Sequence, residues 1–394
     1  AQMSKAMDLL LLLLLLPCLS SLSLVFPVAK AAYDIVDFGA SADGKTDSSN
    51  ALLRAWSTAC SSRNPSTINV PKGRFLLKPV VLNGPCNNTI KLWIQGTLVA
   101  PSSYDDKSSQ WIGVERVDGL EISGGTLDGQ GAALWACKEA GGSCPLGHNS
   151  LGIGHSKNVQ INGLTSINSK LFHIAIFGSE RVAVKGGKII APESSPNTDG
   201  IHVQMSSGIT ITGATIKTGD DCISIGPGTT DMWVERISCG PGHGVSIGSL
   251  GHSLQEDGVQ NITLKTAVFT GTQNGVRIKT WGRESNGFVN GVFFYHAVMK
   301  DVQNPIVIDQ NYCPGNKGCP NQDSGIKISQ VEYRDIKGTS ATEVAVSFDC
   351  SPSHPCRGIE LQDIKLTYKN KPAMSYCKHA DGTASGMVVP ASCL

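Results

Sequence analysis

Aromatic residues are scarce in this chain, at 6% of 394 residues, too few for a long platform of stacked rings. Net charge is lacking as well. The formal charge is +1, and Lys5, Asp8 and Lys30 near the start account for it, so the remainder is close to neutral. No cluster of lysines and arginines with interleaved aromatics occurs, which removes the footprint of a nucleic-acid binder. No Cys-x-x-Cys pair occurs, which argues against zinc and thioredoxin-type redox chemistry. Beyond residue 30 no apolar run approaches the length of a bilayer span. Any attraction for an acidic ligand must therefore come from a few local charges.

What is present begins with an apolar segment. Leu9 to Leu16 continues through Leu19, Leu22, Leu24, Val25 and Phe26, with Lys5 before it and Ala29, Ala31 and Ala32 after it. This pattern predicts a secretory signal over residues 1–32, cleaved near Ala29 to Ala32, followed by one domain over 33–394. A membrane anchor is the rival reading, since Met7 to Val28 could cross a bilayer; Pro17, Ser20, Ser21 and Ser23 interrupt that run. Export suits the thirteen cysteines. Loss of Cys18 with the signal leaves an even number. Spacing suggests six disulfide candidates: Cys60 with Cys86, Cys137 with Cys144, Cys222 with Cys239, Cys313 with Cys319, Cys350 with Cys356, and Cys377 with Cys393. Asn87 and Asn261 head glycosylation sequons.

Short strands and glycines dominate the rest. Tyr33 to Ala40 reads as a strand, Asp43-Gly44-Lys45 as a turn, and Ala51 to Trp56 as a short helix able to lie across an open end of a larger body. Leu120-Glu121-Ile122-Ser123-Gly124, Val159-Gln160-Ile161-Asn162-Gly163, Val182-Ala183-Val184-Lys185-Gly186 and Ile209-Thr210-Ile211-Thr212-Gly213 repeat one alternating pattern. Looser copies follow at Met232, Asn261, Ile326 and Ile359. A repeat of this length without helical segments predicts an all-β solenoid, a right-handed parallel β-helix with Ile and Val in a continuous core. A β-sandwich is the alternative, on the strength of Asn-Gly pairs at Asn162, Asn274 and Asn286.

Polar chemistry concentrates in Asn197-Thr198-Asp199-Gly200, Gly219-Asp220-Asp221, Gly242-His243-Gly244 and Arg277-Ile278-Lys279. Asp199, the pair Asp220 and Asp221, and His243 recur at about one coil turn, which would stack three carboxylates and an imidazole on one face. Crowded carboxyls titrate apart, and glycosidic hydrolysis needs one protonated acid and one ionised base. Arg277 and Lys279 flank an inward Ile278 and should point outward together, a clamp for a substrate carboxylate. Two other readings stay open. A calcium-dependent lyase would use the aspartates as hard-cation ligands and Arg277 as base, and a non-catalytic protein would only bind the glycan.

These four motifs, in this order, resemble the signatures of the polygalacturonases, the pectin-degrading glycoside hydrolases, over essentially the whole chain after the signal. The similarity is greatest to plant members, among them the pollen-type exo-acting enzymes. The resemblance implies a parallel β-helix and inverting hydrolysis of α-1,4-galacturonosyl linkages, with Asp220 as general acid. It gives Asp199 and Asp221 the attacking water and His243 the support of the acid. Asn197, Arg277, Lys279 and Tyr312 are then substrate contacts. It implies no cofactor and no metal, and a secreted monomer of the cell wall whose partner is homogalacturonan, with no nucleic acid and no membrane insertion. Exo action would require a wall across the groove, for which Asp128 to His148 and Asn311 to Asp323 are the candidate segments.

Overall fold

The computed structural model describes residues 31–104 and 108–394. The expected signal segment lies outside these residues except for Ala31 and Ala32. The chain forms a right-handed parallel β-helix. One sheet has eleven strands stacked in chain order, from Val80–Asn83 to Met374–Lys378. The pairings are parallel throughout the described residues, apart from a short antiparallel return at Tyr368 and Lys371. The sandwich alternative is therefore excluded. Asn162-Gly163 marks a corner between two strands of the coil, and Asn274-Gly275 lies at the start of a strand, not in a hairpin.

The sequence repeats fall into lateral register. Leu120 pairs with Val159 and Val159 with Val182, and further on Ile209 pairs with Met232 and Met232 with Ile262. The copy expected at Ile326 is out of frame: Val292 and Val331 continue the row before Ile359. Inside the eleven-stranded sheet, Ile223, Val245, Val276, Ile306 and Val346 form an aliphatic column, with Ile225, Ile247, Ile278, Ile308 and Phe348 beside it. All are essentially buried. Each such side chain contributes about 1.5–3 kcal/mol of transfer free energy. Because side chains alternate along a strand, the residue between the two columns must point outward.

The Ser49–Ser61 helix buries Ala51, Leu52, Ala55, Trp56 and Ala59. It packs on the Ala31–Asp34, Ser66–Val70 and Val80–Asn83 strands of the first turn, so it covers that end of the core. Two local expectations need correction. The strand read over Tyr33 to Ala40 stops at Asp34, whose carboxylate accepts the Val36 N–H and starts a 3-10 turn that ends at Gly39 in the left-handed region. A second helix, Ala132–Glu139, occupies part of the candidate wall. Its pattern is too short to separate from a loop by periodicity.

All six expected cysteine pairs form disulfides. Cys60, in the last turn of the end-covering helix, joins Cys86, and Cys377 joins Cys393 at the opposite end of the chain. Cys137 with Cys144, Cys313 with Cys319, and Cys350 with Cys356 close short loops. Cys222 with Cys239 spans 17 residues of the coil. Asn87 and Asn261 are both exposed.

Candidate active site

The outward row of the eleven-stranded sheet is where polar residues collect. His202, Ser224, Ser246 and Arg277 are lateral neighbours on four successive strands. His202 and Ser224 line the floor of a cleft; Asn197, Asp199, Asp220, Asp221 and His243 sit in the turns that precede these strands, and Arg277 and Lys279 lie on the Asn274–Trp281 strand itself. The cleft encloses a cavity of about 630 Å³ lined by Asn197, Asp199, Asp220, Asp221, Lys279 and Tyr312, among others. That size suits a bound sugar.

The turns are tied to each other by their own backbones. Thr198 is buried, and its hydroxyl accepts the Gly219 N–H at 3.1 Å, joining the first motif to the second. The His243 N–H donates to the Asp220 carbonyl at 2.8 Å. Gly242 and Gly244 have φ values of +142° and +88°. A Cβ at Gly244 would stand 2.2 Å from the Asn274 carbonyl oxygen. Glycine is thus required there for steric reasons as well as for its backbone conformation. The Cys222–Cys239 disulfide fixes the chain directly after Asp221.

Each carboxylate has a different environment. Asp220 Oδ1 accepts the Asp221 N–H at 2.7 Å and lies 3.1 Å from His243 Nδ1. Both contacts fall on Oδ1, and among the described residues Oδ2 has no hydrogen-bond partner; Asp220 lines the cleft. Asp221 is almost fully buried. Its Oδ1 accepts from Ser246 Oγ at 2.7 Å and Arg277 Nη2 at 3.1 Å, and its Oδ2 from Lys279 Nζ at 2.8 Å. Burial alone would raise its pKa, but Lys279, Arg277 and these hydrogen bonds outweigh that and hold the carboxyl below its ordinary value. Asp199 is 6% exposed, and among the described residues no cation is bonded to it. Burial first, then the charges of Asp220 and Asp221, push its pKa well above the ordinary value, against a 2.6 Å hydrogen bond from Ser224 and the charge of Lys279.

Arg277 and Lys279 point outward as their alternation predicts. Both lie beside Tyr312, with Lys279 Nζ 5.2 Å from the ring centroid. Tyr312 pairs in register with Trp281 and packs edge-on against it. Asn197, in left-handed conformation, reaches the cavity rim. The eight candidate site residues are therefore neighbours around one cleft. Of the candidate walls, Asn311 to Asp323 contributes Tyr312 to the cavity lining, and Asp128 to His148 contributes none of the lining residues. Asp220, Asp221 and His243 offer ligand atoms within 4.8 Å of one another, the usual reason to consider a cation. Both Asp221 oxygens are already engaged by protein cations, so the donor set is charge-compensated as it stands.

A profile of glycosyl hydrolases family 28 matches residues 60–393. The chain belongs to this family. A polygalacturonase of Prunus persica is 57% identical over 387 residues, covering 95% of this chain and 98% of the relative. An exopolygalacturonase of Oenothera organensis is 43% identical, covering 88% of this chain and 98% of the relative. Among solved structures, the endo-xylogalacturonan hydrolase of Aspergillus tubingensis superposes with a TM-score of 0.76 at 23% identity, covering 90% of this chain and 100% of that one. The last comparison carries the fold alone.

Three polar side chains at this site are absent from the set the sequence motifs supply: His202, Ser224 and Ser246. A signal for them exists. Each stands three residues after Asp199, Asp221 or His243, the offset at which the chain has entered its strand and faces the cleft. Single serines and histidines are too common for that offset to stand out before the register is known.

Proposed function

We propose that this chain hydrolyses the α-1,4-galacturonosyl linkages of polygalacturonate with inversion, acting from chain ends and releasing galacturonate. The observation that carries the reading is the unequal treatment of three adjacent carboxylates. Asp220 presents Oδ2 to the glycosidic oxygen as general acid, with His243 and the Asp221 amide fixing Oδ1. Asp221, gripped by Lys279, Arg277 and Ser246, keeps its charge and is a weak base, suited to orienting water. Asp199 has the higher proton affinity and takes the proton of the attacking water. Among the described residues Arg277 Nη1 makes no hydrogen bond, and it and the further N–H groups of Lys279 hold a substrate carboxylate beside the Tyr312 ring. Asn197 completes the rim contacts.

Exo action is supported by the relatives named exopolygalacturonase, from Oenothera organensis and Platanus acerifolia, at 43% and 41% identity; the resemblance of the four motifs to pollen-type exo-acting enzymes is the ground on which we assign the chain to that subtype. Residues 1–32 act as a secretory signal, residues 33–394 as one catalytic domain, and the product is a monomer of the cell wall carrying glycans at Asn87 and Asn261. Intact mass of the exported protein checks the cleavage and the glycans. The deciding test of activity is a digest of polygalacturonate run in parallel with chelator and with added calcium. Monogalacturonate from the first minutes, without absorbance from an unsaturated sugar, is the expected result. Calcium-dependent unsaturated products would establish a lyase instead, mixed oligomers an endo enzyme, and binding without products a glycan-binding protein.

A further inference from the structure

The cleft floor contains a hydrogen-bonded chain to which the reaction above gives no role. Ser224 Oγ lies 2.6 Å from Asp199 Oδ2 and 2.8 Å from His202 Nδ1. His202 Nε2 lies 3.3 Å from Gln204 Oε1, and the imidazole packs on Phe172 with ring centroids 4.7 Å apart. Ser224 is 3% exposed. Among the described residues, Ser224 provides the sole side-chain hydrogen bond to the Asp199 carboxylate. The charges that act on His202 are Asp221 and Lys279; those that act on Asp199 are Asp220, Asp221 and Lys279.

We infer that His202 is a positioning residue for the reaction, acting through Ser224 to aim the Asp199 carboxylate at water and to keep it ionised. The inference rests on Asp199 being the base. A serine hydroxyl has one hydrogen. The 2.6 Å contact directs that hydrogen to Asp199, so the Ser224 oxygen must accept from His202, and Nδ1 carries the imidazole proton. Burial, the main influence on this ring, favours its neutral form. Nε2 is then unprotonated, so the Gln204 amide must be turned by 180° from the orientation with Oε1 at 3.3 Å, exchanging its O and N so that the NH2 donates to Nε2. Gln204 and Phe172 lock the ring, the ring locks the hydroxyl, and the hydroxyl is the single donor opposing the burial and like charges that favour protonated Asp199. Without the Nδ1–H, the Ser224 hydroxyl is free to turn to other acceptors, and the anion loses its only donor for part of the time.

Four variants test this. His202→Phe keeps a ring against Phe172 but removes the donor; His202→Asn restores an N–H close to the Nδ1 position. Ser224→Ala removes the link, and the double variant combining His202→Phe with Ser224→Ala closes the cycle. We expect His202→Phe to lower kcat about tenfold with KM unchanged, and to move the acid limb of kcat/KM to higher pH. His202→Asn should recover most of the loss, and the double variant should be no worse than Ser224→Ala. Losses that multiply in the double variant would overturn the inference, as would a raised KM with an unmoved pH limb, which means direct substrate contact. So would an Asn variant as impaired as Phe, which means packing alone. Infrared titration of the Asp199 carboxyl, referenced to Asp199→Asn, should show its pKa rise in His202→Phe whatever the chemistry of turnover. A rise without the kinetic effect would show that Asp199 is not the base; no rise would end the His202 inference itself.

Discussion

Replacing Lys279 by Met tests the charge arrangement at its most buried point. The change keeps most of the apolar stem and removes the ammonium group 2.8 Å from Asp221 Oδ2. The side chains are 8% and 1% exposed, so solvent screens the pair little. Removing one partner of a buried pair costs about 3–5 kcal/mol. Arg277 still contacts the other oxygen at 3.1 Å, which places the expected loss near the lower end, about 3 kcal/mol. Unfolding entropy of about 2.1 cal/mol/K per residue over the folded chain converts this to a Tm lower by roughly 4 °C. The sign of the pH dependence follows from Asp221. Its folded pKa is depressed below 3.8, so the pair's contribution is complete above that value and lost as pH falls through the lower, folded one. In the variant the carboxyl takes up a proton at higher pH, because less opposes its burial. The Tm difference should therefore be full at pH 7 and shrink steadily as pH falls through the carboxylate range. Calorimetric scans of both proteins from pH 7 to pH 3.5 measure it. A difference that stays constant with pH, or no difference at pH 7, would refute the electrostatic account and leave only packing.

Two further substitutions separate acid from base. Asp220→Asn should reduce kcat on polygalacturonate by roughly 10²–10⁴ while leaving Tm and oligogalacturonate binding nearly unchanged; retained turnover would remove Asp220 as the acid. Asp199→Asn should also abolish turnover but raise Tm at pH 7, because the folded state disfavours that ionised carboxyl and its elevated pKa makes stability fall as pH rises above 3.8. The gain should vanish below about pH 3.8, and a destabilised Asn variant at pH 7 would contradict the burial argument.

The repeat of alternating strands was legible because its cause is local. A residue's place inside or outside the coil depends on the two-residue period of a strand, and Ile278 between Arg277 and Lys279 shows this directly. The four motifs were legible for a related reason: glycine, histidine and paired aspartates in short polar turns interrupt that period. The helix at Ala132–Glu139 was not, since eight residues give two turns and one buried leucine, Leu134. The copy at Val331 was missed because the sequence around Ile326 mimics the same alternation a few residues early.

The amino-acid order alone determined the all-β solenoid, its aliphatic columns and the identity of the residues over the cleft. Only the folded chain decided which group meets which. His202, Ser224, Ser246 and Arg277 are lateral neighbours although the steps between them are 22, 22 and 31 residues. The long step comes from the loop after Leu250, which widens one turn without changing the strand spacing. Lateral contact across a parallel sheet is set by hydrogen-bond register at about 4.8 Å per strand, not by distance along the chain. That register gives Asp221 two cations and Asp199 a single hydroxyl, and so makes chemically unlike groups of two identical side chains.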